Sequence, residues 1–352
     1  MSMRTHRVIS IPGDGIGCEV LPAGQKVVDL LAEKHGFSVA WEPVEWGSEY
    51  FRSHGTMMPT NGIQIMSKFD AIYLGAVGAP DIPDHETLWG LLIPIRREFD
   101  QYINLRPIRT YEGISGPLKS DKKIDILIVR ENTEGEYSQI GGRFASNSPY
   151  ETALQVAVFS RRGIERVAKY AVEQAKGRSG EIISATKSNG IIHSMPFWDE
   201  VVSEVVRDHP EIKMKSVLID ALAAALVLYP ERFDVIVGSN LFGDILSDLA
   251  AALVGSIGIA PSGNINPERK YPSMFEPVHG SAPDIAGQGI ANPVGAIHAA
   301  AMMLNHLGEK EAATEIHDSI AQLIRSGVAT KDLGGVENTV SFTDKLLEII
   351  KA

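Results

Sequence analysis

Two aspartates lie one helical turn apart in the stretch NLFGDILSD, which runs from Asn240 to Asp248. The stretch follows the apolar run Asp234–Val237, which predicts a buried strand, and the apolar residues of Ile245–Val254 predict a helix. On that helix Asp244 and Asp248 project from one face. A strand that leads directly into a helix is the unit of α/β folds, so this stretch predicts the α/β class.

The same alternation of short apolar runs and longer amphipathic runs extends along the chain. It predicts strands at Val8–Ile11, Ser38–Val44, Ala71–Leu74, Ile124–Val129, Leu154–Phe159, Ile182–Ala185 and Ser216–Ile219. It predicts helices at Glu19–His35, Thr87–Tyr102, Gly163–Gln174, Phe197–His209, Ala221–Leu228 and from Gly295–Leu307 onward. The glycine- and proline-rich stretch Gly255–Pro272 is predicted to be a long connection and a candidate domain crossover. We therefore expect a largely parallel sheet covered by helices.

Composition excludes several classes of function. The 352 residues include 33 basic and 44 acidic side chains, a formal charge of −11, which argues against nucleic acid as a partner. Cys18 is the single cysteine, so no intrachain disulfide or cysteine-based zinc site is expected, and its interpretation is a small buried hydrophobe. No apolar run approaches the roughly 20 residues that cross a bilayer. Because the N-terminus also lacks a signal-peptide pattern, a cytoplasmic location without membrane contact is the default expectation.

The aspartate pair is a candidate metal site. The carboxylates of Asp244 and Asp248 repel each other unless a cation lies between them, and hard divalent ions such as Mg²⁺ or Mn²⁺ prefer oxygen ligands. The alternative is that one aspartate caps the helix and the other is solvated. Asp220 ends another predicted strand and opens an apolar helix, so it is either an N-cap or a further ligand.

Arginines are the candidate anion-binding residues. Arg96, Arg97, Arg106, Arg109 and Arg130 lie in or near three apolar segments. Surface ion pairs are the simpler interpretation of Arg97 and Arg109. Arg130 ends a buried-looking strand, where a charge needs a partner or an anionic ligand. The arginine fork suits carboxylates, so we expect an acidic substrate.

Lys187 and Tyr137 are candidate proton-transfer residues. Lys187 follows the strand Ile182–Ala185, and is either solvated or, when partly buried, a base. Tyr137 is either a packed aromatic residue or a phenol that delivers a proton.

Two glycine-containing loops are candidate cofactor sites. Gly13–Gly17 has the spacing G-x-G-x-G and not that of a dinucleotide fingerprint, so it predicts a tight turn that borders a cofactor at most. Glu276–Asp284 exposes backbone N–H groups that suit a phosphate, and Asp284 could accept a hydrogen bond from a ribose 2′-hydroxyl. The alternative for the second loop is an ordinary proline-bounded turn.

Taken together, these segments resemble the β-decarboxylating dehydrogenase family, which contains isocitrate, isopropylmalate, D-malate and tartrate dehydrogenases. The resemblance covers nearly the whole chain and is carried by Pro12–Gly17, Asn104–Pro107, Val129–Tyr137, Lys187–Asn189, Asp220–Leu222, Asn240–Asp248, Glu276–Asp284 and Ala291–Pro293. The stretch DHETLWGLL at 84–92 resembles the tartrate/D-malate branch.

The resemblance implies an isocitrate/isopropylmalate dehydrogenase-like two-domain fold that is distinct from the Rossmann fold. It implies a large domain of residues 1–102 and 256–352, with both termini and the NAD-binding loop. It implies a middle domain of residues 103–255, with the dimer interface and the metal and catalytic residues.

The resemblance also implies a role for each matched side chain. It assigns the substrate carboxylates to Arg96, Arg106 and Arg130. It assigns the divalent metal to Asp220, Asp244 and Asp248, base relay to Lys187 and the final proton to Tyr137, with Asp220 and Lys187 supplied by the partner subunit. It assigns NAD to Asn189, Glu276, His279, Gly280, Ser281, Ala282, Asp284 and Asn292.

The expected activity is therefore NAD- and divalent-metal-dependent oxidation of a small 2-hydroxy diacid, with or without decarboxylation, by a homodimer with shared active sites. The reactions implied are tartrate to oxaloglycolate, meso-tartrate to glycerate, and D-malate to pyruvate and CO₂. The expected metal is Mn²⁺ or Mg²⁺, and the resemblance also implies K⁺, for which the sequence identifies no ligands.

Substrate choice is expected to lie in Trp89–Arg96, which has no Ser or Asn to meet a third carboxylate of isocitrate. 3-Isopropylmalate dehydrogenase is the alternative, because Leu92 and Ile93 could cover its alkyl group, whereas Trp89 would favour a small diacid. A non-catalytic regulatory dinucleotide-binding subunit is a further alternative, disfavoured because the aspartates, the lysine and the tyrosine are all present.

Overall fold

The computed structural model describes residues 4–118 and 123–352. The strands in this part of the chain are β1 (Arg4–Gly13), β2 (Phe37–Pro43), β3 (Ala71–Ala76), β4 (Ile103–Arg109), β5 (Asp125–Glu131), β6 (Gly141–Phe144), β7 (Thr152–Gln155), β8 (Glu181–Thr186), β9 (Lys213–Leu218), β10 (Val235–Gly238), β11 (Pro261–Ile265) and β12 (Ser273–Pro277). The α-helices are α1 (Gly17–His35), α2 (Ser48–His54), α3 (Gly62–Met66), α4 (Asp84–Thr87), α5 (Ile93–Glu98), α6 (Arg161–Lys176), α7 (Ser194–Arg207), α8 (Ile219–Leu228), α9 (Asn240–Leu253), α10 (Val294–Leu307), α11 (Lys310–Arg325) and α12 (Thr339–Lys351).

The chain forms two compact units. Unit 1 contains the described residues of 1–101, 109–121 and 251–352, and unit 2 contains those of 102–108 and 122–250. Unit 1 is therefore assembled from both ends of the chain, whereas most of unit 2 is one continuous stretch.

Unit 1 has the strand order β2-β1-β3-β12-β11. The strands β1, β2, β3 and β12 pair in parallel, and β11 pairs antiparallel with β12. This order differs from the Rossmann order 3-2-1-4-5-6, as predicted. All six residues of β3 are buried, as expected for a strand with both faces covered. Helix α10 is rich in alanine and buried along most of its length, which lets it pack closely against α1 and β12.

Unit 2 has the strand order β4-β5-β10-β8-β9, and the pairs among β5, β10, β8 and β9 are parallel. Helices α6 and α7 pack on these strands with buried apolar faces. Strand β10 leads through Ser239 into α9, so the carboxyl end of this strand delivers the aspartate-bearing helix. Strands β6 and β7 form a separate antiparallel pair whose eight residues are all exposed.

The predicted helix Thr87–Tyr102 is not continuous. Helix α4 ends at Thr87, residues Leu88–Leu92 form a π-helical turn, and α5 follows. Pro94 lacks an N–H group, and its ring would clash with the carbonyl four residues earlier in a regular helix, so a change of helical geometry just before it has a physical cause.

Two predictions for individual segments are corrected. The strand predicted at Leu154–Phe159 is β7, which begins at Thr152, ends at Gln155 and lies in the exposed hairpin. The connection predicted at Gly255–Pro272 contains β11, whose five residues are buried. Its buried Asn264 is tolerated because the side-chain amide donates to Glu276 Oε1 at 2.7 Å.

Two single-residue interpretations are also corrected. Helix α8 begins at Ile219 with Leu218 as its N-cap, so Asp220 lies in the first turn and is not a cap. Cys18 is exposed on α1 and not a buried hydrophobe, because its helix directs Val20 and Leu21 to the core instead.

The helices formed by the described residues include none with the length and apolar character of a membrane span.

Candidate active site

Arg130 lies at the carboxyl end of β5, beside the first turns of α9. Its Nη1 donates to Asp244 Oδ1, and its Nε and Nη2 donate to Asn240 Oδ1 at 3.0 and 2.6 Å. Gly243 permits this approach, because a Cβ atom there would lie 2.6 Å from Arg130 Cβ. The buried guanidinium is thus fixed by hydrogen bonds on two of its sides.

Arg106 reaches the same face of α9 from β4. Its Nη1 donates to Ser247 Oγ at 2.6 Å and to Asp248 Oδ1 at 3.1 Å, and its Nη2 lies 3.3 Å from Asp244 Oδ1. Asn104 Oδ1 accepts from Nε at 2.8 Å, so the side chain is held in one orientation. Two buried arginines therefore border the two aspartates of α9.

Tyr137 adds a hydroxyl group to this face. Its Oη donates to Asp244 Oδ2 at 3.0 Å, and Arg130 lies 5.7 Å from its ring centroid. The tyrosine is 36% exposed, so its phenol is accessible to a ligand.

The charges of this cluster compete. Partial burial raises the pKa of Asp248, Arg106 lowers it, and Asp244 raises it again. A cation beside both carboxylates would relieve that repulsion. The oxygen donors of Asp244 and Asp248, one turn apart, fit a hard divalent ion. Among the described residues, no group of three or more His, Cys, Asp or Glu side chains is arranged to hold a metal, so Asp220 is not part of such a group within one chain.

Asp220 pairs instead with Lys187. The Lys187 Nζ donates to Asp220 Oδ1 at 2.8 Å, and this hydrogen bond lowers the pKa of the Asp220 carboxyl. The lysine follows β8 and the aspartate lies at the start of α8. The Asp220 side chain is 66% exposed, and Asn189, two residues beyond the lysine, is also exposed. The pair thus presents a cation and an anion together at the surface of unit 2.

In unit 1, Glu276 lies near the end of β12 and accepts from Arg96 Nη2 at 3.0 Å, besides its contact with Asn264. The Nε atom of Arg96 is buried and has no hydrogen-bond partner among the described residues. A buried guanidinium donor without a partner is costly, and an anionic ligand would satisfy it.

The loop after β12 contacts the first glycine loop. Ser281 O accepts from Ile16 N at 2.9 Å, and a Cβ atom on Gly15 would lie 2.0 Å from that oxygen. Glycine with φ +55° is therefore required where the loops meet. Of the other predicted loop residues, Gly280 and Asp284 are exposed and Ala282 has φ +41°.

His279 and Asn292 complete the predicted cofactor residues. Burial lowers the pKa of His279, and its Nε2 is buried without a hydrogen-bond partner among the described residues, which suits a neutral imidazole that meets a ligand. Asn292 Nδ2 donates to Asp332 Oδ2 at 3.0 Å, and its Oδ1 accepts from Val294 N at 3.0 Å. Of these two side chains, His279 has a ring nitrogen available for a ligand.

Sequence reasoning missed several residues that hold these side chains. They are Asn104, Asn240, Asn264 and Asp332, each of which binds a predicted site residue. The available signal was a polar residue inside or beside an apolar segment, which needs a partner when buried.

Comparison with known proteins agrees with the fold. Residues 7–350 match the family model described as isocitrate/isopropylmalate dehydrogenase. The chain is 52% identical over 348 residues to the probable tartrate dehydrogenase/decarboxylase of Bacillus subtilis (strain 168), with 98% of each chain covered. It is also 52% identical over 358 residues to the D-malate dehydrogenase [decarboxylating] of Escherichia coli (strain K12), with 99% of each covered. The crystal structure of isocitrate dehydrogenase from Methylococcus capsulatus superimposes with a TM-score of 0.90 at 32% identity, covering 99% of this chain and all of that one.

The chain belongs to the isocitrate/isopropylmalate dehydrogenase family. The predicted family, fold class and dehydrogenase activity are therefore confirmed. The assignments of individual site residues and the domain boundaries stay predictions.

Proposed function

We propose that this chain oxidises a small 2-hydroxy diacid with NAD and a divalent metal, with or without decarboxylation. The observation that best supports this proposal is the face of α9, where Asp244 and Asp248 lie beside two buried arginines and an accessible tyrosine hydroxyl. Members of this family generally use NAD and a divalent metal. The names of relatives at 52% identity support tartrate and D-malate as substrates.

Three arginines are proposed to bind the substrate carboxylates. Arg106 and Arg130 are buried and fixed by neighbouring amide or hydroxyl groups, so their forks are oriented before a ligand arrives. Arg96 retains a buried Nε donor for an anion. Preoriented donors lose little conformational entropy on binding, which favours binding of the substrate carboxylates.

Asp244 and Asp248 are proposed to hold the divalent ion together with Asp220 of a second protomer, and His279, Asn292 and the loop Glu276–Asp284 to hold NAD. When bound, the ion acidifies the substrate's C2 hydroxyl, and NAD accepts the C2 hydride. Asp284 supports NAD over NADP, because its exposed carboxylate would repel a 2′-phosphate. The divalent ion is proposed to be Mn²⁺ or Mg²⁺, and K⁺ is proposed as a monovalent cofactor.

The chain's own residues are proposed to move two protons. Lys187 accepts the C2 hydroxyl proton as C2 is oxidised to a ketone. The C3–carboxylate bond then breaks, CO₂ leaves, and its electron pair forms an enolate. Tyr137 gives its phenolic proton to C3 and regains one from water. Oxidation without decarboxylation needs only the lysine.

The segment before Arg96 is proposed to select the substrate. Trp89 lies in the π-helical turn, and Arg97 lies 4.8 Å from its ring centroid, so the indole is held by a cation–π contact. A fixed indole favours a small diacid over a substrate with an isopropyl group. 3-Isopropylmalate stays the alternative because Leu92 and Ile93 are apolar.

A homodimer with shared active sites is proposed on two grounds. The described aspartates do not assemble a metal site within one chain, and unit 2 exposes apolar side chains on the β6–β7 hairpin and near α8. Burying such side chains against a second copy is favourable. The two-domain division and the cytoplasmic location are likewise proposals.

A substrate panel tests the function directly. NADH absorbance is followed with Mn²⁺, K⁺ and, in turn, D-malate, tartrate, 3-isopropylmalate and isocitrate, with NADP in parallel. We expect NAD reduction with D-malate and tartrate and little with the other two acids. Faster turnover of 3-isopropylmalate would assign the alternative, and no NADH with any of the four would contradict the proposal.

A further inference from the structure

Glu136 precedes Tyr137 and is bound at both carboxylate oxygens to the start of α9. Its Oε1 accepts from Ser239 Oγ at 2.7 Å, and its Oε2 accepts from Leu241 N at 3.1 Å. Leu241 lies in the first turn of α9, where backbone N–H groups lack helical acceptors. A carboxylate is favoured there because the N-terminus of a helix carries partial positive charge.

We propose that Glu136 is a positioning residue that holds the Tyr137 hydroxyl against Asp244 by anchoring its loop to α9. The inference rests on the proposed function, in which Tyr137 is the proton donor and Asp244 a metal ligand. Because Glu136 binds the helix that carries Asp244, the loop and the metal-binding carboxylate share one support.

The position of the tyrosine depends on its loop because the residue is partly exposed. Tyr137 is 36% exposed, and its hydroxyl reaches the second turn of α9 through a 3.0 Å hydrogen bond to Asp244. On the other side of Glu136, Gly135 pairs in both directions with Val158, at 2.7 and 3.0 Å. The loop is thus hydrogen-bonded to Val158 at Gly135, just before Glu136. Glu136 then binds the start of α9, directly before Tyr137.

A second contact joins the loop to α9 but is weaker and uncharged. Asn240 Nδ2 donates to the Glu134 carbonyl at 3.1 Å. Charge-assisted hydrogen bonds are about twice as strong as neutral ones, so Glu136 is the dominant anchor. Loss of its charge should loosen Tyr137 while leaving the helix in place.

Comparing the two reactions of the proposed function shows whether Glu136 positions Tyr137 or only stabilises α9. Conversion of D-malate to pyruvate requires protonation at C3, whereas oxidation of tartrate to oxaloglycolate breaks no C–C bond and requires no proton at C3. A residue that positions Tyr137 affects the first reaction selectively. A residue that only stabilises α9 affects both, because Asp244 and Asp248 serve both.

The test compares Glu136→Gln and Glu136→Ala with wild type, with Glu200→Gln as matched control. Glu200 is an exposed carboxylate that binds Arg161 at 2.9 Å and has no assigned role. We expect kcat for D-malate to fall about tenfold in Glu136→Gln and further in Glu136→Ala, with KM within about twofold. Glutamine retains one accepting oxygen, which explains the graded loss. The kcat for tartrate should change less than about twofold, and the control should match wild type.

A second measurement does not depend on substrate. Amide hydrogen exchange at the start of α9 should accelerate in Glu136→Ala, because the Leu241 N–H loses its acceptor. Equal loss of both reactions, or unchanged exchange, would overturn the positioning role while the proposed function stands. Wild-type protein that reduces NAD with neither acid would overturn the proposed function, and the positioning role of Glu136 with it.

Discussion

The face of α9 and the Lys187–Asp220 pair both join cations to carboxylates, but they are built differently. On α9, Arg106 and Arg130 are buried and each makes several hydrogen bonds. The Lys187–Asp220 pair is one contact between side chains that are 30% and 66% exposed. The first arrangement is held in place by hydrogen bonds within one chain, whereas the second is exposed and is proposed to meet the α9 face of another protomer. Exposed ion pairs contribute little to the free energy of unfolding, so a stabilising role does not explain the Lys187–Asp220 pair.

The largest expected effect comes from breaking the α9 face. Asp244→Asn removes a charged oxygen from the proposed ion and from Arg130, so turnover should fall by about 10³-fold or more with weaker metal binding. Steady-state kinetics and Mn²⁺ titration measure both, and circular dichroism checks that the chain is folded. Asp208→Asn, at an exposed aspartate after α7, is the control. Full activity with metal bound as tightly as before would refute the assignment of Asp244.

Breaking the exposed pair should remove catalysis without loss of stability. Lys187→Met removes the proposed proton acceptor, so kcat should fall by about 10²-fold or more. The thermal midpoint should stay close to wild type because the pair is exposed. Lys169→Met, which removes an exposed lysine near Glu165 on α6, controls for the loss of a surface charge. Retained turnover would show that Lys187 is not the proton acceptor.

Mixing the two inactive variants sharpens the comparison. When Asp244→Asn and Lys187→Met chains are denatured and refolded together, about half of the dimers should be hybrids. If Asp244 of one protomer works with Lys187 of its partner, each hybrid keeps one intact site, and about a quarter of wild-type activity returns. Each variant refolded alone is the control. No recovery, despite hybrid dimers detected by mass spectrometry, would show that the two residues act within one chain.

The smallest expected effect is a difference in pH dependence. Burial raises the pKa of Glu131, beside Arg130, to about 7 from its usual 4.5. Hydrogen bonds from Glu134 N and Thr133 N lower the pKa but do not offset the effect of burial. The folded state then binds this proton more tightly, so the contribution to stability is present below about pH 4.5 and is lost as pH rises to about 7. The slope is at most about 1.4 kcal/mol per pH unit.

Denaturant unfolding at several pH values should therefore give a flatter profile for Glu131→Gln between pH 5 and 7. Asp220, whose pKa is lowered by Lys187, behaves oppositely, since its contribution is lost as the pH falls below the usual carboxyl range. Asp220→Asn should accordingly leave the profile above pH 5 unchanged. An identical slope in Glu131→Gln and wild type would contradict the assignment of this titration to Glu131.

Much of the site was predictable because its residues follow local rules. The spacing of Asp244 and Asp248 places them on one helical face, and an arginine at the end of a buried strand needs an anionic partner. The structure places Arg130 beside Asp244, as that reasoning requires. Asn104 lies two residues from Arg106 and could have been predicted as its partner. The pairing of Asn240 with Arg130 and of Asp332 with Asn292 was not predictable, because 110 and 40 residues separate the partners.

The sequence alone determined the class of fold, the family resemblance and the helix that carries two acidic groups, because periodicity and motif spacing are local properties. It did not determine the buried strand β11, which depends on a contact made only after folding, because Asn264 is satisfied by Glu276. Tertiary structure also decided that both oxygens of Glu136 meet the start of α9, since a hydrogen bond across 103 or 105 residues has no signature in local sequence.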